Sequence, residues 1–245
     1  VKLLCRLYDP CSGTISVEGI PLPEFDMHTL RGNISVIFQD YARYHLTAAE
    51  NIGLGDIHHG REEQDIRSAA ETAGADTFIS ELPEGYSTVL GRWFRGGSEL
   101  SAGEWQKVAL ARAFLRDAPI VLLDEPASAL DARAEADLYR RFGRLAAGRT
   151  CIVISHRFST VRMADRIAVM SGGRLVELGT HEELMAIDGL YREMFELEKG
   201  IADDPELNFT RVSPAYGFEN IFQAFEIMNT AVIAYPADGY HISTH

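Results

Sequence analysis

Two adjacent carboxylates, Asp124 and Glu125, close an unbroken apolar run, Ile120-Val121-Leu122-Leu123. Acids side by side at a strand end can divide labour: the first is a hard oxygen ligand for Mg2+, and the second can be aimed at a water. Upstream, Ser101 and Glu104 have the spacing of a capping box, in which each side chain satisfies an orphan amide of a first helical turn. A helix N-terminus carries free N–H groups and partial positive charge, which suits a phosphate. Gly103, inside that turn, leaves room for close backbone approach. Two other apolar runs, 34–38 and 150–154, also end in polar side chains suited to phosphate chemistry, Gln39 and His156.

These residues need particular elements to position them. Val108, Ala109, Ala111, Arg112 and Leu115 recur at near-helical spacing after Ser101, so a helix is predicted there. The run 120–123 is continuous rather than alternating, as in a strand buried on both faces. A parallel sheet would bring the ends of the three apolar strands to one edge, where ligands of open α/β sheets bind. A loop of small residues follows and closes on Asp131, which is placed to cap a helix over 132–147.

The order LSAGE, helix, IVLLDE and SALD over 100–131 resembles the ATP-binding cassette (ABC) ATPases. LSAGE is similar to the family's signature, usually LSGGQ; IVLLDE to its Walker B strand; Ser128 to Asp131 to its D-loop. The resemblance implies an α/β P-loop NTPase (RecA-like) core with a parallel sheet and an inserted α-helical subdomain. It implies ATP and Mg2+ as ligands. Glu125 would be the catalytic carboxylate, Gln39 the Q-loop glutamine touching Mg2+ and the attacking water, and His156 the switch histidine at the γ-phosphate. Asp124 would hold the metal with Gln39. Ser101, Ala102, Gly103, Glu104 and Asp131 would face the nucleotide of a second cassette, paired head to tail. Two positions depart from the family pattern. Ala102 adds a methyl where a glycine is usual, and Glu104 adds negative charge near phosphate, so both are expected to weaken turnover.

One expected part does not occur. The family's P-loop, G-x-x-x-x-G-K-[ST], holds the β and γ phosphates, and the sequence has no Gly-Lys pair. In the family that loop immediately precedes the helix that residues 1–8 resemble. The chain also starts with Val1. It is therefore expected to be N-terminally truncated, to lack the first strands and the P-loop, and to bind ATP poorly by itself.

The remaining segments are expected as follows. A core over 1–40 and 116–199 would be interrupted by a helical subdomain at about 41–115, and 200–245 would be an extension of unknown role. Residues 1–8 are apolar at helical spacing, 61–75 and 76–82 read as helices, and 221–235 is apolar enough for another. Gly172-Gly173 between 166–170 and 174–178 is a hairpin signal. Thr180 and Glu183 form a second capping box, and a last helix runs from about 190 to 199.

Composition narrows the function. With 46% hydrophobic and 24% charged residues, the 245-residue chain can bury one or two globular cores. A net charge of −13 argues against non-specific nucleic-acid binding. Three cysteines without paired spacing fit a reducing compartment. No apolar run approaches the roughly 20 residues that span a bilayer. The segments ENIGLG (50–55), GTHEEL (179–184) and GLY (189–191) resemble exporter-type cassettes. That implies partnership with the transmembrane domain of an exporter at the cytoplasmic face of the membrane. The alternatives are a soluble ABC ATPase acting on ribosomes or DNA, and a non-catalytic cassette that supports a competent partner.

Overall fold

The computed structural model describes residues 1–57, 62–93, 96–146, 148–203, 231–235 and 242–244. The chain divides into two compact units, residues 1–151 with 236–245, and residues 152–235.

The first unit opens with turns rather than the expected helix. Cys5 N bonds to Val1 O, but Arg6 takes a left-handed φ of 48°, which breaks the run before a second helical turn forms. A tight hairpin follows. Strands β1 (Ile15–Val17) and β2 (Ile20–Pro21) pair antiparallel across Glu18 and Gly19, both at positive φ, the geometry that a two-residue hairpin needs. Asp26 caps helix α1 (Met27–Gly32) by accepting from Thr29 N at 2.9 Å. Strand β3 (Ile34–Ile37) comes next. The helical segment follows as α2 (Ala48–Gly53), α3 (Glu63–Ala73) and α4 (Asp76–Glu81). Helix α2 was not foreseen, although Thr47 and Glu50 form a complete capping box at its start.

Helix α5 (Ala102–Leu115) is the core of this unit. Trp105, Gln106, Val108, Ala109, Leu110, Ala111, Ala113 and Leu115 are all buried, and a helix covered on most sides belongs in an interior. It packs against α2, α3 and β3. Strand β4 (Ile120–Asp124) pairs parallel with β3 in the register Ile34 to Ile120 and Ile37 to Leu123. Both strands are largely buried on both faces, and Ser35 of β3 donates to Ala113 O of α5 at 2.7 Å, so the pairing needs helices over it. Helix α6 (Ala132–Ala146) follows, and strand β5 (Thr150–Ser155) starts in this unit with Thr150 N donating to Pro119 O at 2.9 Å.

The second unit contains the short helix α7 (Phe158–Val161) and the hairpin of β6 (Arg166–Ser171) and β7 (Arg174–Gly179). Gly172 and Gly173, at φ of 56° and 73°, supply the turn. Thr180 and Glu183 cap helix α8 (His181–Ala186) as read from their spacing. Helix α9 (Leu190–Asp203) runs four residues past the expected end at 199. The expected helix over 221–235 ends instead in strand β8 (Ala231–Tyr235), which pairs antiparallel with β6; residues 221–230 lie outside the described residues. The β-branched and aromatic positions of AVIAY suit a strand. Strand β9 (Ile242–Thr244), in the first unit, pairs antiparallel with β1.

Candidate phosphoryl-transfer site

The parallel register of β3 and β4 places Gln39 and the Asp124-Glu125 pair at one strand edge. Gln39 Nε2 lies 3.5 Å from Glu125 Oε2, a long contact that orients more than it binds. Glu125 has a φ of 48°, a left-handed conformation that non-glycine residues seldom adopt and that its surroundings must hold in place. Asp124 is half-buried, and burial raises its carboxyl above the ordinary Asp value; the charges of Glu125 and Asp40 push the same way. A carboxylate that is poorly solvated and crowded by like charge is a good seat for a cation, and its hard oxygens suit Mg2+. Among the described residues no three His, Cys, Asp or Glu side chains converge as a ready metal cage. Mg2+ in phosphoryl-transfer sites uses one or two carboxylates together with phosphate oxygens, so the Asp124 edge fits that ion.

The signature turn closes as a capping box. Ser101 Oγ accepts from Glu104 N at 3.3 Å, and Glu104 Oε2 accepts from Ser101 N at 2.7 Å and from Ser101 Oγ at 2.8 Å. Glu104 is thus engaged with the turn's own amide and hydroxyl. Tyr41 Oη donates to Ala102 O at 3.1 Å, which joins the segment after Gln39 to this turn. A Cβ on Gly103 would stand 3.2 Å from Ala129 O, so the close approach expected of that glycine is made to the loop after Glu125. Asp131 ends that loop by accepting from Ala134 N at 2.8 Å, the cap of α6.

Three residues to which the sequence alone assigns no role in the site hold these pieces together. Gln106, buried in α5, donates through Nε2 to Glu125 O at 3.3 Å and to Ser128 Oγ at 3.4 Å, and accepts from Ala129 N at 2.9 Å. Arg112, further along α5, donates to Asn51 O, Asn51 Oδ1 and Ala42 O. Asn51, fully buried, donates to the carbonyls of Tyr44, Leu46 and Thr47. Nothing in the spacing marks Gln106 or Arg112 beyond their being polar in a helix that buries most of its surface. The Thr47-x-x-Glu50 box is the one readable sign of the element carrying Asn51.

His156 follows β5 and belongs to the second unit, where its side chain is exposed. The backbone after it is pinned: Arg157 N donates to Ser155 Oγ at 3.1 Å, and Phe158 is buried edge-on against Tyr191 and Phe195 with ring centroids 5.4 Å away in both cases. His181 Nδ1 and Tyr191 Oη are hydrogen-bonded at 2.8 Å within the same aromatic cluster.

A third surface feature flanks the helical segment. Trp93 is 84% exposed, and its ring lies 5.7 Å from that of His45. By contrast Trp105, in the first turn of α5, is 2% exposed. The neighbouring residues 94–95 lie outside the described residues.

The family model described as ABC transporter matches residues 1–128, just over half of the chain. The chain belongs to the ABC transporter family. It is 41% identical over 198 residues to the subtilin transport ATP-binding protein SpaT of Bacillus subtilis, covering 81% of this chain and 32% of that protein. It is 41% identical over 203 residues to the ATP-dependent lipid A-core flippase of Hahella chejuensis, covering 83% and 34% respectively. Among solved structures, a bacterial Atm1-family ABC exporter with ATP bound aligns with a TM-score of 0.74 at 38% identity, over 80% of this chain and 34% of that one. The fold is therefore the α/β ATPase fold of ABC proteins. The chain spans about a third of the length of these relatives. Among the described residues no helix is long and apolar enough to cross a membrane.

Proposed function

We propose that this chain is the ATP-hydrolysing cassette of an ABC exporter, which couples cleavage of the β–γ phosphate bond to movement of a substrate across a membrane. The observation that carries the reading is the meeting of Gln39 and Glu125 at the edge of two parallel strands, with Asp124 alongside. Phosphoryl transfer of this kind rests on positioning and charge stabilisation. Glu125 orients the attacking water and takes its proton. Gln39 steadies that carboxylate. Asp124, with Gln39, would hold Mg2+, which would supply charge neutralisation at the phosphates. His156 donates towards the γ-phosphate.

In this reading Ser101 to Glu104 and Asp131 act on a second cassette's nucleotide, so the working unit is a head-to-tail pair joined to transmembrane domains at the cytoplasmic face. Residues 1–40 and 116–199 form the catalytic core, 41–115 its helical insertion, and 200–245 an extension. The names of the relatives, a subtilin transport ATP-binding protein, an ATP-dependent lipid A-core flippase and an Atm1-family ABC exporter, support this assignment.

The test is the Glu125→Gln variant of the full-length protein. Steady-state hydrolysis should fall by at least about 100-fold, the range for loss of a general base, while bound ATP is retained. Turnover within about tenfold of the parent would overturn the assignment of Glu125.

A further inference from the structure

We infer that Gln106 is a positioning residue for hydrolysis, which locks the backbone of Glu125 to the signature helix. The inference rests on the reading of Glu125 as the water-orienting carboxylate. Glu125 occupies a left-handed backbone conformation, at φ 48°, that persists only where neighbouring groups over-determine it. Two donors meet its carbonyl: Ser128 N at 3.2 Å and Gln106 Nε2 at 3.3 Å. The other end of the same amide accepts from Ala129 N at 2.9 Å. Gln106 is 1% exposed, so water does not replace either bond when one is lost.

The geometry has a second half. Gly103, one turn earlier on α5, packs its backbone against Ala129 O, where an added Cβ would come within 3.2 Å. The helix that carries Ser101 and Glu104 therefore grips the loop 128–129 twice, once by close approach and once by a buried amide. A shift of the signature turn is passed through Gln106 to the carbonyl of Glu125, and from there to the direction of its carboxylate. Engagement of a partner's nucleotide and alignment of the chain's own hydrolytic group become one movement.

Two variants test this in the full-length protein. Gln106→Met keeps length and volume but removes both hydrogen-bonding ends. Gln106→Glu keeps the shape and the acceptor for Ala129 N but turns a second acceptor towards Glu125 O. Each should lower kcat for Mg-ATP by about 10- to 100-fold, the scale of a roughly 1 Å misplacement of a catalytic group, with KM changed by no more than about twofold, as for an interaction made only in the transition state. Introduced into Glu125→Gln, each should add no further loss, because both act through one carboxylate. Thermal melting identifies a variant that fails to fold, in which case the other carries the test. A folded variant with kcat within about twofold of the parent, or a loss that multiplies with that of Glu125→Gln, would overturn the inference. Retained turnover in Glu125→Gln alone would overturn the reading beneath it, and the inference with it.

Discussion

Arg112 and Asn51 form a two-point clasp: Arg112 Nη2 donates to Asn51 Oδ1 at 2.6 Å, and Arg112 Nε donates to Asn51 O at 2.9 Å. The clasp fixes the last turn of the signature helix to the segment that follows Gln39. Its geometry is that of a guanidinium fork, which a lysine would not reproduce. Asn51→Ala leaves three carbonyls, those of Tyr44, Leu46 and Thr47, without their side-chain donor and deprives Arg112 of one acceptor. Leu46 O and Thr47 O keep backbone donors, so the main loss is the bond to the guanidinium, and a stability loss of about 1.5–3 kcal/mol is expected, the scale of a hydrogen bond to a charged group. Urea unfolding should show it as a lower midpoint at unchanged slope.

Two neighbouring glycines should respond in opposite senses. A Cβ at Gly53 meets only Ile66 Cδ1, at 4.0 Å, so Gly53→Ala gains helix propensity at no steric cost. It should stabilise the protein by about 0.5 kcal/mol. A Cβ at Gly55 would fall 2.0 Å from Arg112 O, a backbone atom that cannot move aside. Gly55→Ala should destabilise by about 2–3 kcal/mol or more, as overpacking does. Thermal melts of the pair bracket the parent if this is right.

Glu104→Gln separates stability from turnover. An amide oxygen can keep the acceptor role towards Ser101 N, so the cap survives. The lost charge at a helix N-terminus should cost about 0.3–1 kcal/mol. If the signature turn faces a partner's phosphates, removing that charge should raise ATPase activity. A melting temperature slightly lower and a kcat clearly higher is the expected pattern, measured on the same preparation.

Cysteine chemistry gives a pH prediction. Burial raises the Cys151 thiol to about 12 from its ordinary value of 9.0, and burial likewise raises that of Cys5, whereas Cys11 is exposed. Because the folded-state value of Cys151 is raised, its contribution to stability is fully present below pH 9 and is lost as pH rises towards 12. Over that window stability should fall by about 1.4 kcal/mol per pH unit more than in Cys151→Ala. At pH 8, an aromatic disulfide reagent should titrate Cys11 rapidly in the native protein, and Cys5 and Cys151 only after unfolding.

Much of the strand edge was legible because its signals are local. An apolar run that ends in acids, a Ser-x-x-Glu box and a Gly-Gly hairpin each fit within a few residues, and β4, α5 and the β6–β7 turn follow them. Three apolar runs that end in polar residues imply, in a parallel sheet, a shared edge for Gln39, Glu125 and His156; the pairing of β3 with β4 brings the first two together. What escaped depends on partners far apart in sequence. Gln106 and Arg112 are ordinary polar residues until β4 and α2 arrive beside them. The opening turns defeated a helical period because backbone conformation at Arg6 outweighed apolar spacing. The last five residues of 221–235 became a strand because β6 offered an open ladder that a local pattern does not show.

The two tryptophans of the chain divide it optically. Trp105 lies buried at the start of the signature helix, and Trp93 stands almost fully in water beside His45. Their emission should separate into a blue component and a red one, and iodide should quench only the red. A single cuvette therefore carries two native probes: one senses rearrangement around the signature turn, and the other senses whatever settles over the helical segment.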